Sequence, residues 1–256
     1  MLAFFFLQLG LGIPACTALV PSRLLGRGFF LLNGGISLVC LSIAAWLPLV
    51  PDTAGRDRLL IGITGVCLII TLGLPPRIRQ RAGLAILGAG LLCGYLVLLH
   101  WSGSQFPPGS GPASPLLLGV DAVLGSVLLG SVLVAMNLGH WYLVIPSLPV
   151  SILKRLTLLF VLALTARILL VGTVSVLIWR ESLALPENYL LANGVFLMQR
   201  ILFGFAVPIM LSVLIWKTVA MRSIQSATGL LYVTVFFILM GELVARHLRF
   251  ISGIPF

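Results

Sequence analysis

Charged side chains are scarce in this chain. Lysine, arginine, aspartate and glutamate make up 9% of the 256 residues, and only six residues are acidic. Hydrophobic residues account for 60%, and the mean hydropathy is +1.18. A soluble domain cannot cover its surface with so few polar side chains, so the composition excludes that class and predicts an integral membrane protein.

Cysteine and histidine are also few. The four cysteines fall one in each of the first four apolar stretches, and none has a CxxC or other metal-ligand spacing. We interpret them as small packing residues, and we expect no catalytic metal in this chain. The four are Cys16, Cys40, Cys67 and Cys93.

Eight hydrophobic stretches occupy most of the sequence. A bilayer core requires about 20 apolar residues in helical form. The stretches therefore predict an all-α, polytopic helix bundle forming a single transmembrane domain of about eight spans over residues 1–256. The spans are 2–20, 28–50, 59–75, 83–100, 115–137, 156–179, 190–216 and 227–248.

Acidic residues are absent from every second connection, which predicts the orientation. The formal charge of +10 would suggest nucleic acid in a soluble protein. Here the basic residues lie in short connections, so membrane topology explains them better and we expect no nucleic-acid partner. One set of connections carries Arg23, Arg27, Arg77, Arg79, Arg81, Lys154, Arg155, Lys217 and Arg222. The other set carries Arg56, Arg58, Arg180 and Arg249, offset by Asp52, Asp57, Glu181 and Glu187.

The positive-inside rule places the purely basic set in the cytoplasm and both termini on the outer, periplasmic side. Small residues at four-residue spacing predict close helix packing, as in Gly90-x-x-x-Gly94 and in Ala122, Ser126 and Gly130.

Five charged residues fall inside the apolar spans, where a charge is costly and normally has a partner. At about 1.5 Å per residue, all five lie at mid-depth or in the outer half of the bilayer. Glu242 and Arg246 are spaced i,i+4, the favourable order for a helix pair. With three arginines and two acids, the group keeps a net positive character. The five are Asp121, Arg167, Arg200, Glu242 and Arg246.

Two interpretations of these charges remain open. They pair with one another and hold the helices in register, or they form a pocket for a polar head group near the outer face. Arginine suits such a pocket because its planar fork binds carbonyl and carboxylate oxygens and stays charged. A neighbouring acid could exchange protons. A quinol fits this site, because its tail lies in lipid while its head needs donors and a proton acceptor.

The histidines allow a haem hypothesis. His100 and His247 end the fourth and eighth spans at the same predicted level. Two histidines at one depth on facing helices are the ligand set of a b-type haem. The alternative is that both are interfacial residues.

Irregular segments carry two further expectations. Pro208 cannot donate to the carbonyl of Gly204, so we expect a kink in span seven, whose Asn193 and Arg200 share a face. The segment Trp141 to Pro149, followed by basic residues, is an interfacial anchor or a docking surface for a cytoplasmic partner.

The last span resembles the end of a known membrane subunit type. Glu242 and Arg246 lie in the pattern Gly241-Glu242-Leu243-Val244-Ala245-Arg246-His247-Leu248, which is followed by Gly253-Ile254-Pro255. The pattern is similar to that of the DMSO-reductase anchor and polysulfide-reductase (NrfD-like) family, although an aromatic residue is more typical at the position of His247. The resemblance implies quinone chemistry near the outer face, no obligatory haem, and electron transfer to an iron–sulfur subunit.

Together these observations predict a quinone-interacting anchor subunit of a respiratory complex in a bacterial inner membrane. Glu242 and Arg246 would carry the proton and the head group, and the other head-group contacts would come from Arg200, Arg167, Asp121 and His247. The expected partners are an iron–sulfur protein or cytochrome, and lipid; the expected cofactor is quinone, with no group bound covalently. Alternatives are a b-type cytochrome with His100 and His247 on haem, a small transporter of an anionic solute, and a scaffold subunit.

Overall fold

The computed structural model describes residues 1–22, 24–47, 54–75, 78–104, 114–145, 147–180 and 189–252. Within these ranges all regular structure is helical and no strand occurs. Eight helical runs follow one another along the chain, as the apolar stretches predicted. They are α1 (Leu2–Thr17), α2 (Arg27–Trp46), α3 (Ala54–Gly73), α4 (Leu84–Ser104), α5 (Pro115–Val144), α6 (Ser151–Arg180), α7 (189–220) and α8 (Ile224–Ser252).

Helix α7 runs through three parts without a break. Its α-helical segments Tyr189–Gln199 and Val207–Ala220 are joined by a π-helical segment, Arg200–Ala206. A shorter π-helical turn, Arg79–Gly83, leads directly into α4.

Six of these helices are long and apolar enough to cross a membrane, so the protein is a multi-pass membrane protein. They are α2 and α4 to α8. Helix α1 is a shorter apolar helix, and the first turn of α3 carries Arg56, Asp57 and Arg58. The span count of eight and the orientation of the termini therefore stay predictions.

Some residues used in the sequence argument lie outside the described residues. The side chain of Arg180 is among them, although the backbone of that residue ends α6. The others are Arg23, Asp52, Arg77, Glu181, Glu187, most of the connection after Ser104, and the segment Gly253-Ile254-Pro255.

Helix α5 is the centre of the bundle. In its most apolar window 72% of the residues are buried, the largest share among the six long helices. It packs against α1, α4, α6 and α8, while α2 lies on α1, α3 lies on α4, and α7 lies on α8. A side chain that points inward from α5 therefore meets residues from both halves of the chain.

Close backbone crossings confirm the role predicted for the small residues. Gly12 of α1 crosses Gly130 of α5 so closely that a methyl group on either would overlap the backbone of the opposite helix. Gly90 of α4 packs on Cys67 of α3 in the same way, where an added Cβ would lie 2.6 Å from the cysteine Cβ. Gly12 and Gly130 thus let α1 pack closely on α5, and Gly90 lets α4 pack closely on α3.

Buried polar side chains between the helices are also paired. Asn137 of α5 donates to Asn33 of α2 at 2.9 Å, and Asn33 donates to its own helix at the carbonyl of Phe29. Asp57, expected in an outer connection, is instead buried in the first turn of α3, where it accepts a hydrogen bond from the Trp101 indole at 2.8 Å. That pair fixes the beginning of α3 against the end of α4.

Candidate functional site

Six charged side chains from four helices meet inside one end of the bundle. It is the end at which α1, α3 and α5 begin and α4 and α8 end. We call these six the charge cluster; each side chain is at most 3% exposed. Its members are Asp121, Arg167, Arg200, Glu242, Arg246 and Arg249.

Arg167 of α6 lies between the two carboxylates. Its Nη2 is 2.9 Å from Oδ1 of Asp121 on α5, and its Nη1 donates to Oε2 of Glu242 on α8 at 2.6 Å. The Arg167 side chain is completely buried. One guanidinium group therefore joins three helices, and its rigid planar fork presents a separate terminal nitrogen to each carboxylate.

Arg246 repeats this bridge from within α8. Its Nη1 donates to Oδ2 of Asp121 and its Nη2 donates to Oε2 of Glu242, both at 2.9 Å. The predicted i,i+4 pair between Glu242 and Arg246 is thus present. It is one edge of a closed network in which both arginines contact both acids.

Arg249 was assigned to an outer connection, and that prediction is wrong, because the residue lies within α8 and is buried. Its Nη1 donates to Oδ2 of Asp121 at 3.1 Å, and its Nη2 donates to the carbonyl of Ser102 at the end of α4 at 2.9 Å. The reason is helix periodicity: positions 242, 246 and 249 are i, i+4 and i+7, so they share the face that turns toward α5. That spacing in the sequence could have identified Arg249.

Arg200 reaches the cluster from the first residue of the π-helical segment of α7. Its Nη1 donates to Oε1 of Glu242 at 3.3 Å, and its guanidinium lies 4.2 Å from the ring centroid of Phe205. Gly204 and Gly241 are in close backbone contact here, because a Cβ on Gly241 would lie 2.5 Å from the Gly204 Cα. The π-helical segment ends two residues before Pro208, where the sequence predicted a kink. Wide turns of this kind occur frequently at functional sites.

Three residues near the beginning of α1 and on α5 complete the surroundings, and the sequence argument missed them. The ring of Phe4 lies 5.2 Å from the guanidinium of Arg246 and 5.0 Å from that of Arg249. Gln8 is fully buried and donates to the carbonyl of Ala122 at 2.7 Å. A glutamine in an otherwise apolar stretch was the available signal for this contact.

Gly125 of α5 is the third. A Cβ at this position would lie 2.5 Å from Arg167 Nη1 and 2.6 Å from Arg246 Nη2. The lack of a side chain at Gly125 therefore leaves room for the two guanidinium groups to lie side by side.

The charges of the cluster do not cancel. Four arginines face two carboxylates, which leaves a formal charge of +2 in a region that is almost fully buried. Several guanidinium groups around each carboxylate favour its ionised form. Gln8 Oε1 is buried and accepts no hydrogen bond from any described residue. The site is thus rich in donors and positive charge, the opposite of a cation site.

The two histidines lie apart from the ion pairs. His247 contacts Phe196 of α7 in a tilted arrangement, with ring centroids 4.7 Å apart and an interplanar angle of 56°. His100 of α4 has a buried Nε2 with no hydrogen-bond partner among the described residues. Helix α4 packs on α1, α3 and α5, whereas α8 packs mainly on α5 and α7. In the described part of the chain, no three His, Cys, Asp or Glu residues group as metal ligands.

An apolar groove of about 380 Å³ lies next to the cluster, between the end of α4 and the beginning of α5. Ser102, whose carbonyl accepts from Arg249, is one of its walls. Leu116 and Val120 on its rim are 75% and 40% exposed, so the groove opens on the lipid-facing surface. The remaining walls are Leu99, Pro115, Gly119, Val123 and Leu124.

Comparisons of the chain with protein-family models, with curated proteins and with solved structures found no match in any of the three. The geometry of the site is therefore the basis for its proposed function.

Proposed function

We propose that this protein is a quinone-interacting membrane subunit of a multi-subunit redox complex. The observation that carries the proposal is the buried charge cluster with its formal excess of two positive charges. A quinone oxygen accepts hydrogen bonds, and it gains negative charge when the ring is reduced. An arginine-rich site stabilises both forms.

The head group would approach Arg249, which contacts the groove wall, and Arg246, which shares Asp121 with it. Arg249 already connects the groove wall at Ser102 to Asp121. A prenyl tail would lie in the groove between α4 and α5, whose exposed rim is apolar. Sites of this kind combine an apolar wall with a few well-placed polar groups.

Glu242 would exchange protons with the bound head group. In the present geometry Arg167, Arg200 and Arg246 all contact it and hold it ionised. Transfer of one arginine from Glu242 to a quinone oxygen would reduce that stabilisation and let the carboxylate accept a proton. The π-helical segment that carries Arg200 supports such a change, because wide turns are local departures from the regular hydrogen-bond ladder.

The proposal includes the number of spans and the orientation of the termini. Eight spans with both termini outside would place the cluster in the outer half of a bacterial inner membrane. Oxidation of a quinol there releases protons outward and passes electrons to an iron–sulfur or cytochrome subunit. The similarity of Glu242 and Arg246 to the polysulfide-reductase (NrfD-like) pattern supports this assignment.

Quinone binding can be tested on the purified protein in lipid nanodiscs. A photoreactive quinone analogue should crosslink to the wild type, mainly at the walls of the groove, and added decylubiquinone should compete. Arg246→Gln should reduce crosslinking at least tenfold, whereas Arg155→Gln, an exposed arginine of α6, should leave it unchanged. Equal crosslinking of the wild type and Arg246→Gln would contradict the proposal.

A scaffold function is the second candidate, because every charge of the cluster already has a partner within the protein. Replacing both Glu242 and Arg246 by glutamine distinguishes the quinone site from the scaffold function. Loss of quinone-dependent electron transfer in an assembled complex supports the quinone site, and unchanged transfer supports the scaffold. A visible absorption spectrum of the purified protein tests the haem alternative at His100 and His247, since b-type haem absorbs strongly at visible wavelengths.

A further inference from the structure

A cavity separate from the groove lies at the opposite end of the bundle from the charge cluster. It measures about 180 Å³ and is bounded by the end of α1, the beginning of α2, the end of α3 and the beginning of α4. Most of its walls are apolar, among them Phe30, Leu68 and Leu87. An engineered cavity of about 150 Å³ holds a benzene molecule, so this one accepts a short hydrocarbon segment.

Arg79 is the charged residue of this cavity, and the fold holds it in place. The side chain is buried, with 5% of the residue exposed. Its Nε donates to the carbonyl of Thr71 at 3.0 Å, and its Nη2 donates to the carbonyls of Leu72 and Leu74 at 2.6 and 2.9 Å. These are carbonyls at the end of α3, where no helical N–H can reach them.

The other terminal nitrogen of Arg79, Nη1, is not used in these hydrogen bonds. Nη1 takes part in none of the hydrogen bonds that join the described residues. The guanidinium plane lies 5.1 Å from the ring centroid of Phe30, which closes one of its sides. Arg79 is thus held by three hydrogen bonds at the wall of the cavity, and Nη1 is the terminal nitrogen that these bonds leave unused.

Arg79 interacts electrostatically with a second positive charge, that of Arg27. No carboxylate forms an ion pair with Arg79 or Arg27 in the described ranges. Burial and then the positive charge of Arg27 lower the pKa of Arg79. An anion bound between the two would remove the repulsion and pair both charges.

The rim of the cavity faces lipid. Leu19 and Leu84 line it and are 60% and 41% exposed. An inorganic anion would have to approach past these apolar side chains, whereas an amphiphile already in the bilayer presents its head group and its chain together. Basic pockets between membrane helices on the cytoplasmic side bind anionic lipids in this way.

We propose that this cavity is a binding site for an anionic phospholipid, with its phosphate on Arg79 Nη1 and Arg27 and the upper part of one acyl chain inside. The site is separate from the charge cluster and does not depend on the quinone proposal. It stabilises the contact of α1 and α2 with α3 and α4.

The test compares phosphatidylglycerol with phosphatidylcholine of identical acyl chains, added to the delipidated protein in detergent. Phosphatidylglycerol should raise the thermal unfolding midpoint by at least about 3 °C, because a ligand that binds only the folded state stabilises it. Phosphatidylcholine and inorganic phosphate should leave the midpoint within about 1 °C. Native mass spectrometry should show one retained phosphatidylglycerol.

Two pairs of variants locate the site. Arg79→Gln should lose the phosphatidylglycerol shift, while Arg81→Gln, an exposed arginine of the same π-helical turn, should keep it. Ala18→Leu fills the cavity without touching Arg79 and should also lose the shift. Ala15→Leu, one turn earlier on α1 and not part of the lining, should keep it.

Equal shifts with both lipids would overturn the proposal, as would an unchanged phosphatidylglycerol shift in Ala18→Leu. The Ala18 variant keeps the test decisive if Arg79→Gln fails to fold, because it retains every hydrogen bond that Arg79 makes to α3. A shift produced by inorganic phosphate alone would assign the site to a free anion and exclude the lipid.

Discussion

Arg167 donates to Glu242 at 2.6 Å and so joins the middle of α6 to the last third of α8. The two residues are 75 positions apart in the sequence, and both are completely buried. Each also has further partners, since Arg167 contacts Asp121 and Glu242 contacts Arg200 and Arg246. Together with Arg246, Arg167 therefore connects the two carboxylates of the cluster.

Arg167→Gln should therefore destabilise the protein strongly. Arg167 is an ion partner of both buried carboxylates, and breaking a buried ion pair costs about 3–5 kcal/mol. Arg155→Gln, on an exposed face of the same helix, should change the free energy of unfolding by less than about 0.5 kcal/mol. Unfolding in mixed micelles measures both. A loss for Arg167→Gln no larger than that of the control would mean that the ion pairs do not stabilise the fold.

Gly125→Ala tests the space between the guanidinium groups. The new methyl would lie 2.5 Å from Arg167 Nη1, so the arginines must move apart at a cost of about 1–3 kcal/mol. Gly172→Ala on α6, where a Cβ meets nothing within 4 Å, is the matched control and should be neutral or slightly stabilising. Thermal unfolding midpoints distinguish the two; equal midpoints would contradict the side-by-side arrangement.

Gly12→Ala addresses the crossing of α1 and α5. Its Cβ would overlap the Ser126 carbonyl, and backbone atoms cannot turn aside as a side chain can. We expect a loss of about 2 kcal/mol or more and reduced yield of folded protein. Gly62→Ala on α3 has open space and should behave as the wild type. A folded and fully stable Gly12→Ala would show that the two helices are farther apart than described.

The proposed orientation makes a prediction about labelling. In a background with the four native cysteines replaced by alanine, Ser104→Cys at the end of α4 should react with a membrane-impermeant maleimide on intact cells. Ser147→Cys, in the connection between α5 and α6, should react only after the membrane is opened. Both positions are exposed, so accessibility within the protein does not decide the result. The reverse pattern would place the charge cluster on the cytoplasmic side.

The helices and five of the six charges of the cluster could be predicted because both follow from hydropathy along the chain. Asp121, Arg167, Arg200, Glu242 and Arg246 were identified in this way, and they do meet. Their pairing could not be predicted, since it depends on how each helix is rotated about its axis and on backbone crossings such as Gly204 with Gly241.

The helix ends were harder to place. Helices α5, α6 and α8 continue several residues beyond the predicted spans, because a helix does not stop where its apolar stretch stops. Arg249 was misplaced for this reason. It was counted with the connection that follows, although its position on the helix face already put it beside Arg246.

The distribution of the cluster over the chain has a consequence for biosynthesis. Helix α8 supplies three of the six charges, Glu242, Arg246 and Arg249, and among the described helices it is the last to be synthesised. Until it inserts, Arg167 and Arg200 lack Glu242, and each charge at the centre of a membrane helix costs about 2.5–3.5 kcal/mol during insertion. The earlier helices are therefore incompletely packed until α8 inserts and supplies Glu242 as a second carboxylate for Arg167 and as the ion partner of Arg200.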